Sequence, residues 1–395
     1  MKKKMLLFSG IFFSALSIIC YFAIFSTIGV IIDLRNATLI FAILAFVFSV
    51  LSFYTSEKNK RKYVSLLSII LGLIISALML YELFFIYESR EVSFQNDELI
   101  LSGTLYQPKT KSAIPAVLLV HGSGRESRKE YEFYARMLAR NGIAALAYDK
   151  RGVNQSGGKT YEVGYEGYAK DAYAGVYFLK NQPSIDEDKV GIWGFSEGEW
   201  VAPLVAKQAD SLAFMIVVSP SGLSPLEQVE YEIKSSMQRQ GFSSEAIDSA
   251  LSVNSMLTKY LRKGADEGDS LKFAIQKFRD EPWYHSAELP QERYAIDEYG
   301  WWQEVMDFPA LEVWSHVNCP VLLISGEKDV KSPVKESQQR VINTLEEQGN
   351  KSVTSVIFPK ADHSITYRWL PGDMPPPAFP DNYPKLVADW IKENL

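Results

Sequence analysis

Hydrophobic positions follow two different rhythms along this chain. Up to about residue 87 they form long unbroken runs: Met5 to Ile32 carries no charge before Asp33, a second run covers 37–54, and a third covers 63–87. A helix needs about 17–25 apolar residues to cross a bilayer. Three such runs with no globular sequence between them predict three transmembrane helices over 5–32, 37–54 and 63–87, and so a membrane anchor occupying residues 1–90. Glu82 falls near the end of the third run, where a carboxylate can reach the interface. A cleaved signal peptide explains the first run less well. Its apolar stretch far exceeds the roughly 7–15 residues usual there, and no small-x-small site ends it.

From about Glu91 the rhythm shortens. Val92–Phe94 and Leu99–Gln107 read as an antiparallel pair turning near Asn96-Asp97, and Ala116–His121 is a continuous aliphatic run, as in a strand buried on both faces. Ile143–Asp149, Val190–Phe195, Phe214–Ser219, Val321–Ser325 and Val353–Phe358 read as further strands. Helical patterns fill the intervals at Glu130–Asn141, Tyr165–Asn181, Glu197–Gln208 and Val334–Gly349, and an amphipathic helix over Asp381–Leu395 closes the chain. This alternation predicts an α/β architecture over residues 91–395, with a mostly parallel, doubly wound sheet. Leu223 to about Val317 breaks it. That stretch is helix-like, charged and rich in aromatics (Trp283, Tyr284, Trp301, Trp302, Trp314), and it reads as a helical cap inserted between two strands. Pro371 to Pro384 reads as a stiff proline-rich surface loop.

Composition sharpens the division. With 47% apolar and 22% charged residues among 395, the chain is globular rather than disordered. The first ninety residues carry nine Lys/Arg against four Asp/Glu, so the body holds more negative charge than the overall −6. An acidic body lacks the basic footprint of a nucleic-acid binder. Lys2, Lys3 and Lys4 precede the first apolar run, and Lys58, Lys60, Arg61 and Lys62 lie between the second and third, whereas the first loop has only Arg35. By the positive-inside rule the N-terminus and second loop are cytoplasmic, which puts a multi-pass protein in the cell membrane with its body outside the cytoplasm. Two cysteines, Cys20 and Cys319, offer neither a disulfide framework nor a cysteine-based zinc site.

The candidate chemistry starts at Gly194-Phe195-Ser196-Glu197-Gly198, a GxSxG sequence set between a strand and a helix. Glycine on either side suits a tight turn that lifts the Ser196 hydroxyl clear of the sheet, and the Glu197 backbone N–H at the helix start suits an oxyanion. An alcohol needs a base oriented by a third group. Of the four histidines, only His363 lies after Ser196 with an acid on a strand end between them. Asp329, in Gly326-Glu327-Lys328-Asp329, is that acid; Asp362 is the fallback and Glu327 is less well placed. His121-Gly122-Ser123-Gly124 follows a buried strand, and its glycines let the Ser123 N–H face the same oxyanion, with His121 as packing. Gly157-Gly158-Lys159-Thr160 lacks the first glycine of a phosphate loop, and Gly122-x-Gly124 lacks a third dinucleotide glycine, so neither an ATPase nor a nicotinamide enzyme is supported.

Together with Tyr148-Asp149-Lys150-Arg151-Gly152-Val153 and Ser156-Gly157-Gly158, these residues resemble the α/β-hydrolase superfamily over about Glu91 to Leu395. The resemblance is to the dienelactone-hydrolase and acyl-esterase-like branch, related to serine peptidases of the prolyl-oligopeptidase type. It implies hydrolysis of esters, thioesters or peptides without metal or cofactor. By resemblance Ser196 is the nucleophile, His363 the base, Asp329 the acid, and Ser123 with Glu197 the oxyanion donors. The expectation is a membrane-anchored serine hydrolase that cleaves a small-molecule carboxylic ester or thioester through an acyl-enzyme. Trp301 and Trp302 of the cap are its candidate substrate contacts. A membrane-bound peptidase, aminopeptidase or acyltransferase uses the same residues, and a non-catalytic sensor or scaffold would dispense with them.

Overall fold

In this computed structural model the described residues are 86–395, apart from 111, 209–211, 264–267, 290–295, 368–377 and 381, with scattered positions between 43 and 74. The three expected membrane runs fall almost wholly outside the described residues, as does most of the proline-rich stretch. Among the described residues no helix is long and apolar enough to cross a membrane. One boundary is corrected. Tyr87, expected as the last residue of the third run, instead opens strand β1 (Tyr87–Asn96) and faces Pro108 of β2 (Leu99–Pro108). The exposed polar run Glu88, Ser89, Arg90 and Glu91 suits an edge strand, so the sheet begins before Glu91.

Six further strands complete one sheet: β3 (Ile114–Val120), β4 (Ala144–Tyr148), β5 (Ile185–Phe195), β6 (Met215–Val218), β7 (Val321–Gly326) and β8 (Val353–Phe358). Their order is β1-β2-β4-β3-β5-β6-β7-β8, antiparallel where β2 meets β1 and β4 and parallel from β4 onward. The buried stretches of the central strands are mostly aliphatic because both faces are covered. In β3, Ala116, Leu118 and Val120 enter one core while Val117 and Leu119 enter the other. The first core is closed by α2 (Tyr165–Lys180), α3 (Gly198–Gln208), α9 (Ala310–Trp314) and α10 (Val334–Glu347). On the opposite face lie α1 (Glu132–Arg140) and α11 (Tyr383–Glu393).

Between β6 and β7 run α4 (Pro225–Arg239), α5 (Ser244–Lys263), α6 (Gly268–Phe278), α7 (Pro282–Ser286) and α8 (Ile296–Val305), followed by α9. Ser224 and Glu227 start α4 with a reciprocal capping box, and Pro225 occupies its first turn. A third core of Ile233, Met237, Val253, Leu257, Ile275 and Tyr284 belongs to this cap alone. The cap ends earlier than its composition suggests. Phe308, Val313 and the fully buried Trp314 pack with the sheet core, so the segment after Met306 returns to the main body before Val317. Aromatic content cannot separate these two destinations, because both are apolar interiors.

Polar contacts on two sides fix the cap over the C-terminal ends of the strands. Lys331 pairs with Glu232 of α4 at 2.8 Å, and the Ser235 hydroxyl donates to the Val330 carbonyl. On the other side, the Trp301 indole donates to Val163 O at 2.8 Å. The loop carrying Asp329 therefore contacts both the sheet and the cap.

Candidate active site

At the end of β5 the backbone turns sharply into α3, and Ser196 sits on the turn at φ +51°. A non-glycine residue rarely adopts this region, and the surroundings must hold it there. Ser196 N–H donates to Val218 O at 2.9 Å, while Ser196 O accepts from Glu199 N–H at 2.8 Å. Space requires glycine at 194 and leaves only a tight fit for a side chain at 198. A Cβ on Gly194 would lie 2.5 Å from Gly198 O, and one on Gly198 would lie 3.3 Å from the carbonyls of Val120 and His121.

The structure brings Ser196, His363 and Asp329 together from three strand ends. His363 Nδ1 lies 2.7 Å from Asp329 Oδ2, and His363 Nε2 lies 2.9 Å from Ser196 Oγ. A carboxylate only accepts, so Nδ1 carries the proton and Nε2 is left to accept from the hydroxyl. Asp329 is held by a second bond, from Lys331 N–H to Oδ1 at 2.8 Å. The backbone that carries the imidazole is held as well, since Ser219 Oγ donates to the His363 carbonyl at 2.6 Å.

The loops that carry Asp329 and His363 touch directly. A Cβ on Gly326 would fall 2.0 Å from Asp362 O, and Lys328 N–H donates to Ala361 O at 2.8 Å. Glycine at 326 thus lets the backbone leading to Asp329 pass against the backbone leading to His363. Asp362, the fallback acid, turns onto its own loop, where Oδ1 accepts from Ser364 N–H and Thr366 N–H. Glu327 faces away as well, accepting from Lys360 N–H at 2.9 Å.

Ser123 and Glu197 each carry a backbone N–H that finds no acceptor within the described residues. Their neighbour differs: Gly122 N–H is taken by Glu126 Oε2 at 2.7 Å and Tyr131 Oη at 2.8 Å. The two unclaimed N–H groups are those that an oxyanion beside Ser196 would need.

The sequence marks Asp149-Lys150-Arg151 through a family resemblance alone, and the burial and pairing of these charges are findings of the structure. Asp149, Lys150 and Arg151 follow β4 and all three are buried. Asp149 accepts from Arg128 N–H at 3.0 Å and pairs with its side chain. Arg151 grips Asp171 of α2 with two bonds, at 2.6 and 2.7 Å. Lys150 meets the Glu197 carboxylate at 2.5 Å and the Gly122 carbonyl at 3.0 Å. Burial raises the Glu197 carboxyl above its ordinary value, and the Lys150 ammonium opposes that shift. Glu199 is buried too. It accepts from Ser221 N–H at 2.8 Å and Gly222 N–H at 3.0 Å, yet desolvation pushes it up to about 7. The usable signal is a run of three charged residues directly behind the apolar strand Ala144–Tyr148, since such a run is costly to bury unless each charge is paired.

Trp301 and Trp302 stand apart from the Ser196 line. They border a cavity of about 320 Å³ within the cap, together with Val229, Ile233, Leu257 and Leu289. The Trp301 ring also packs against Tyr161 and Tyr165, so it contributes to the interior as well as to the cavity wall.

His121 packs edge-on to Tyr131 and Tyr148 and donates from Nε2 to Tyr148 O at 2.5 Å. Desolvation, with Lys150 nearby, lowers it from 6.5 to about 3. The unfolded chain therefore takes up a proton near pH 6.5 that the folded chain refuses. Stability from this group is full above pH 6.5 and is lost on acidification toward pH 3, by about 1.4 kcal/mol per pH unit. Urea unfolding of wild type and His121→Gln should show their difference in stability shifting against the wild type by about that amount per unit. A difference independent of pH would contradict a buried neutral imidazole.

A profile described as X-Pro dipeptidyl-peptidase (S15 family) matches residues 97–364, from the β1–β2 turn to just past His363. The chain is 23% identical over 271 residues to Esterase EstD of Thermotoga maritima, covering 67% of this chain and 57% of that protein. It is 28% identical over 131 residues to the quorum-quenching protein AidA of Acinetobacter baumannii, and 34% identical over 108 residues to Thiohydrolase aneE of Aspergillus aculeatus. Those matches cover 33% and 27% of this chain; the chain spans less than half of either relative, 43% and 33%. Among solved structures, a hypothetical protein of Pseudomonas aeruginosa superposes with a TM-score of 0.50 at 18% identity, over 78% of this chain and 94% of that one. A Pyrococcus furiosus esterase does so with the same score and identity, over 78% and 91%. The α/β-hydrolase fold is common ground with these structures, and the profile match across two thirds of the sequence places the chain in the X-Pro dipeptidyl-peptidase (S15) family.

Proposed function

We propose that this chain is a serine hydrolase that cleaves a carboxylic ester or thioester through an acyl-enzyme. The observation that carries the reading is the line Ser196–His363–Asp329, with two unclaimed N–H groups beside it. Ser196 Oγ attacks the acyl carbon while its proton passes to His363 Nε2, and the carbonyl oxygen becomes an oxyanion facing the N–H groups of Ser123 and Glu197. Collapse of the tetrahedral adduct breaks the bond to the alcohol or thiol, which leaves with the proton from Nε2. Water then repeats the sequence: Nε2 takes its proton, the acid is released, and Ser196 regains its hydrogen. Asp329 keeps Nδ1 protonated and offsets the positive charge on the imidazole throughout. The esterase and thiohydrolase names among the relatives support the leaving groups proposed here.

The family description favours a second reading, cleavage of an X-Pro dipeptide from an amine terminus by the same residues. A panel of p-nitrophenyl acyl esters, acyl thioesters and X-Pro p-nitroanilides separates the two. Ester or thioester turnover is expected to dominate, and Ser196→Ala or His363→Ala to lower kcat by about four to six orders of magnitude. Faster anilide turnover would favour the peptidase, and full activity in Ser196→Ala would sink both.

The apolar runs before Tyr87 support attachment to a bilayer, and their Lys and Arg flanks support an extracytoplasmic site. The largely apolar side chains around the cap cavity, Trp301 and Trp302 among them, support an apolar group as its occupant. A periplasm-dependent reporter fused after Leu395 should be active in a bacterial host. Activity confined to cytoplasm-dependent reporters would overturn the orientation.

A further inference from the structure

We infer that Lys150 is a positioning residue for the oxyanion site, its one ammonium group aligning both backbone donors. The inference rests on Ser196 acting as the nucleophile. Lys150 stands at the end of β4, 4% exposed, and its Nζ has three partners: Glu197 Oε1 at 2.5 Å, Gly122 O at 3.0 Å and the face of Tyr168 at 4.6 Å. These contacts hold the ammonium in one place between the elbow of Ser196 and the loop that follows β3.

The contact with Gly122 O is the instructive one. That carbonyl and the Ser123 N–H belong to a single peptide group, which is planar and trans, so the two point in opposite directions. A cation bound at the oxygen sets the direction in which the N–H must face. It also draws electron density toward the oxygen, which leaves the N–H more positive and a stronger donor. The contact with Glu197 works through the other donor, since the residue whose carboxylate Lys150 holds is the one whose backbone N–H is unclaimed. Gly122 N–H is meanwhile occupied by Glu126 and Tyr131, so the loop is fixed on both sides of the Gly122 carbonyl.

A merely structural pair is the competing account. Replacing a buried ion pair by apolar residues of similar size is often neutral for folding or stabilising, whereas leaving one charge unpaired is costly. The informative variant therefore removes both charges, Lys150→Met/Glu197→Met. With p-nitrophenyl butyrate as probe, its kcat is expected to fall about 10- to 100-fold, less than the about 10²–10³ lost when an oxyanion donor is deleted outright. KM should be unchanged, because the ground-state carbonyl makes little use of the donors. Inhibition by an alkyl boronic acid, whose adduct on the serine places an oxygen in the same site, should weaken in parallel, with the melting temperature near that of wild type. Should the double variant not fold, Lys150→Gln removes the charge and is too short to reach Gly122 O, and the same split is expected of it.

A folded variant with kcat within twofold of wild type would overturn the inference, as would a rise in KM alone. A pre-steady-state burst of p-nitrophenolate from the wild type tests the underlying reading separately. No acyl-enzyme in the wild type would remove the nucleophile itself, whereas a burst with an unaffected variant removes only the role of Lys150.

Discussion

Everything at this site hangs on one backbone turn. Ser196 is held at a positive φ where β5 becomes α3, and a side chain at Gly194 would collide with the Gly198 carbonyl beyond it. The sheet supplies the restraint: β5 lies between β3 and β6, and the turn is anchored to Val218 at the end of β6. Strain of this kind persists only in surroundings rigid enough to impose it. The aliphatic strands, buried on both faces, provide that rigidity, so the composition of the core and the placement of one hydroxyl are parts of the same argument.

The other groups arrive by the same route. Each is carried on a loop at the C-terminal end of a parallel strand, where the active face of an open α/β sheet lies. Asp329 follows β7, His363 follows β8, Ser123 follows β3, and Lys150 follows β4. Gly326 removes the side chain that would keep two of these loops apart. The buried ion pairs behind β4 tie the remaining loops to the elbow and to α2, so the four strand ends form one connected unit rather than four independent loops.

Much of this was legible in the chain because it is local. The aliphatic runs marked the strands, Gly194 and Gly198 marked the turn, and the order of Ser196, Asp329 and His363 left few alternatives. What was not legible depends on residues distant in sequence. Nothing near Lys150 announces Gly122 or Glu197, which lie 28 and 47 residues away. Nothing in the aromatic content of Trp314 distinguishes the sheet core it enters from the cap core that takes Trp283. Tyr87 ends a hydrophobic run and begins a strand, and only pairing with Pro108 decides which. The cap cavity is likewise a product of helices brought together from across the insertion.

The most direct test of the account is to trap the covalent intermediate it requires. Purified protein treated with a fluorophosphonate should gain one phosphonyl group per chain, located by peptide mass spectrometry on Ser196, and His363→Ala should react far more slowly. Labelling elsewhere, or a folded wild-type protein that does not react, would contradict the assignment of Ser196 as nucleophile.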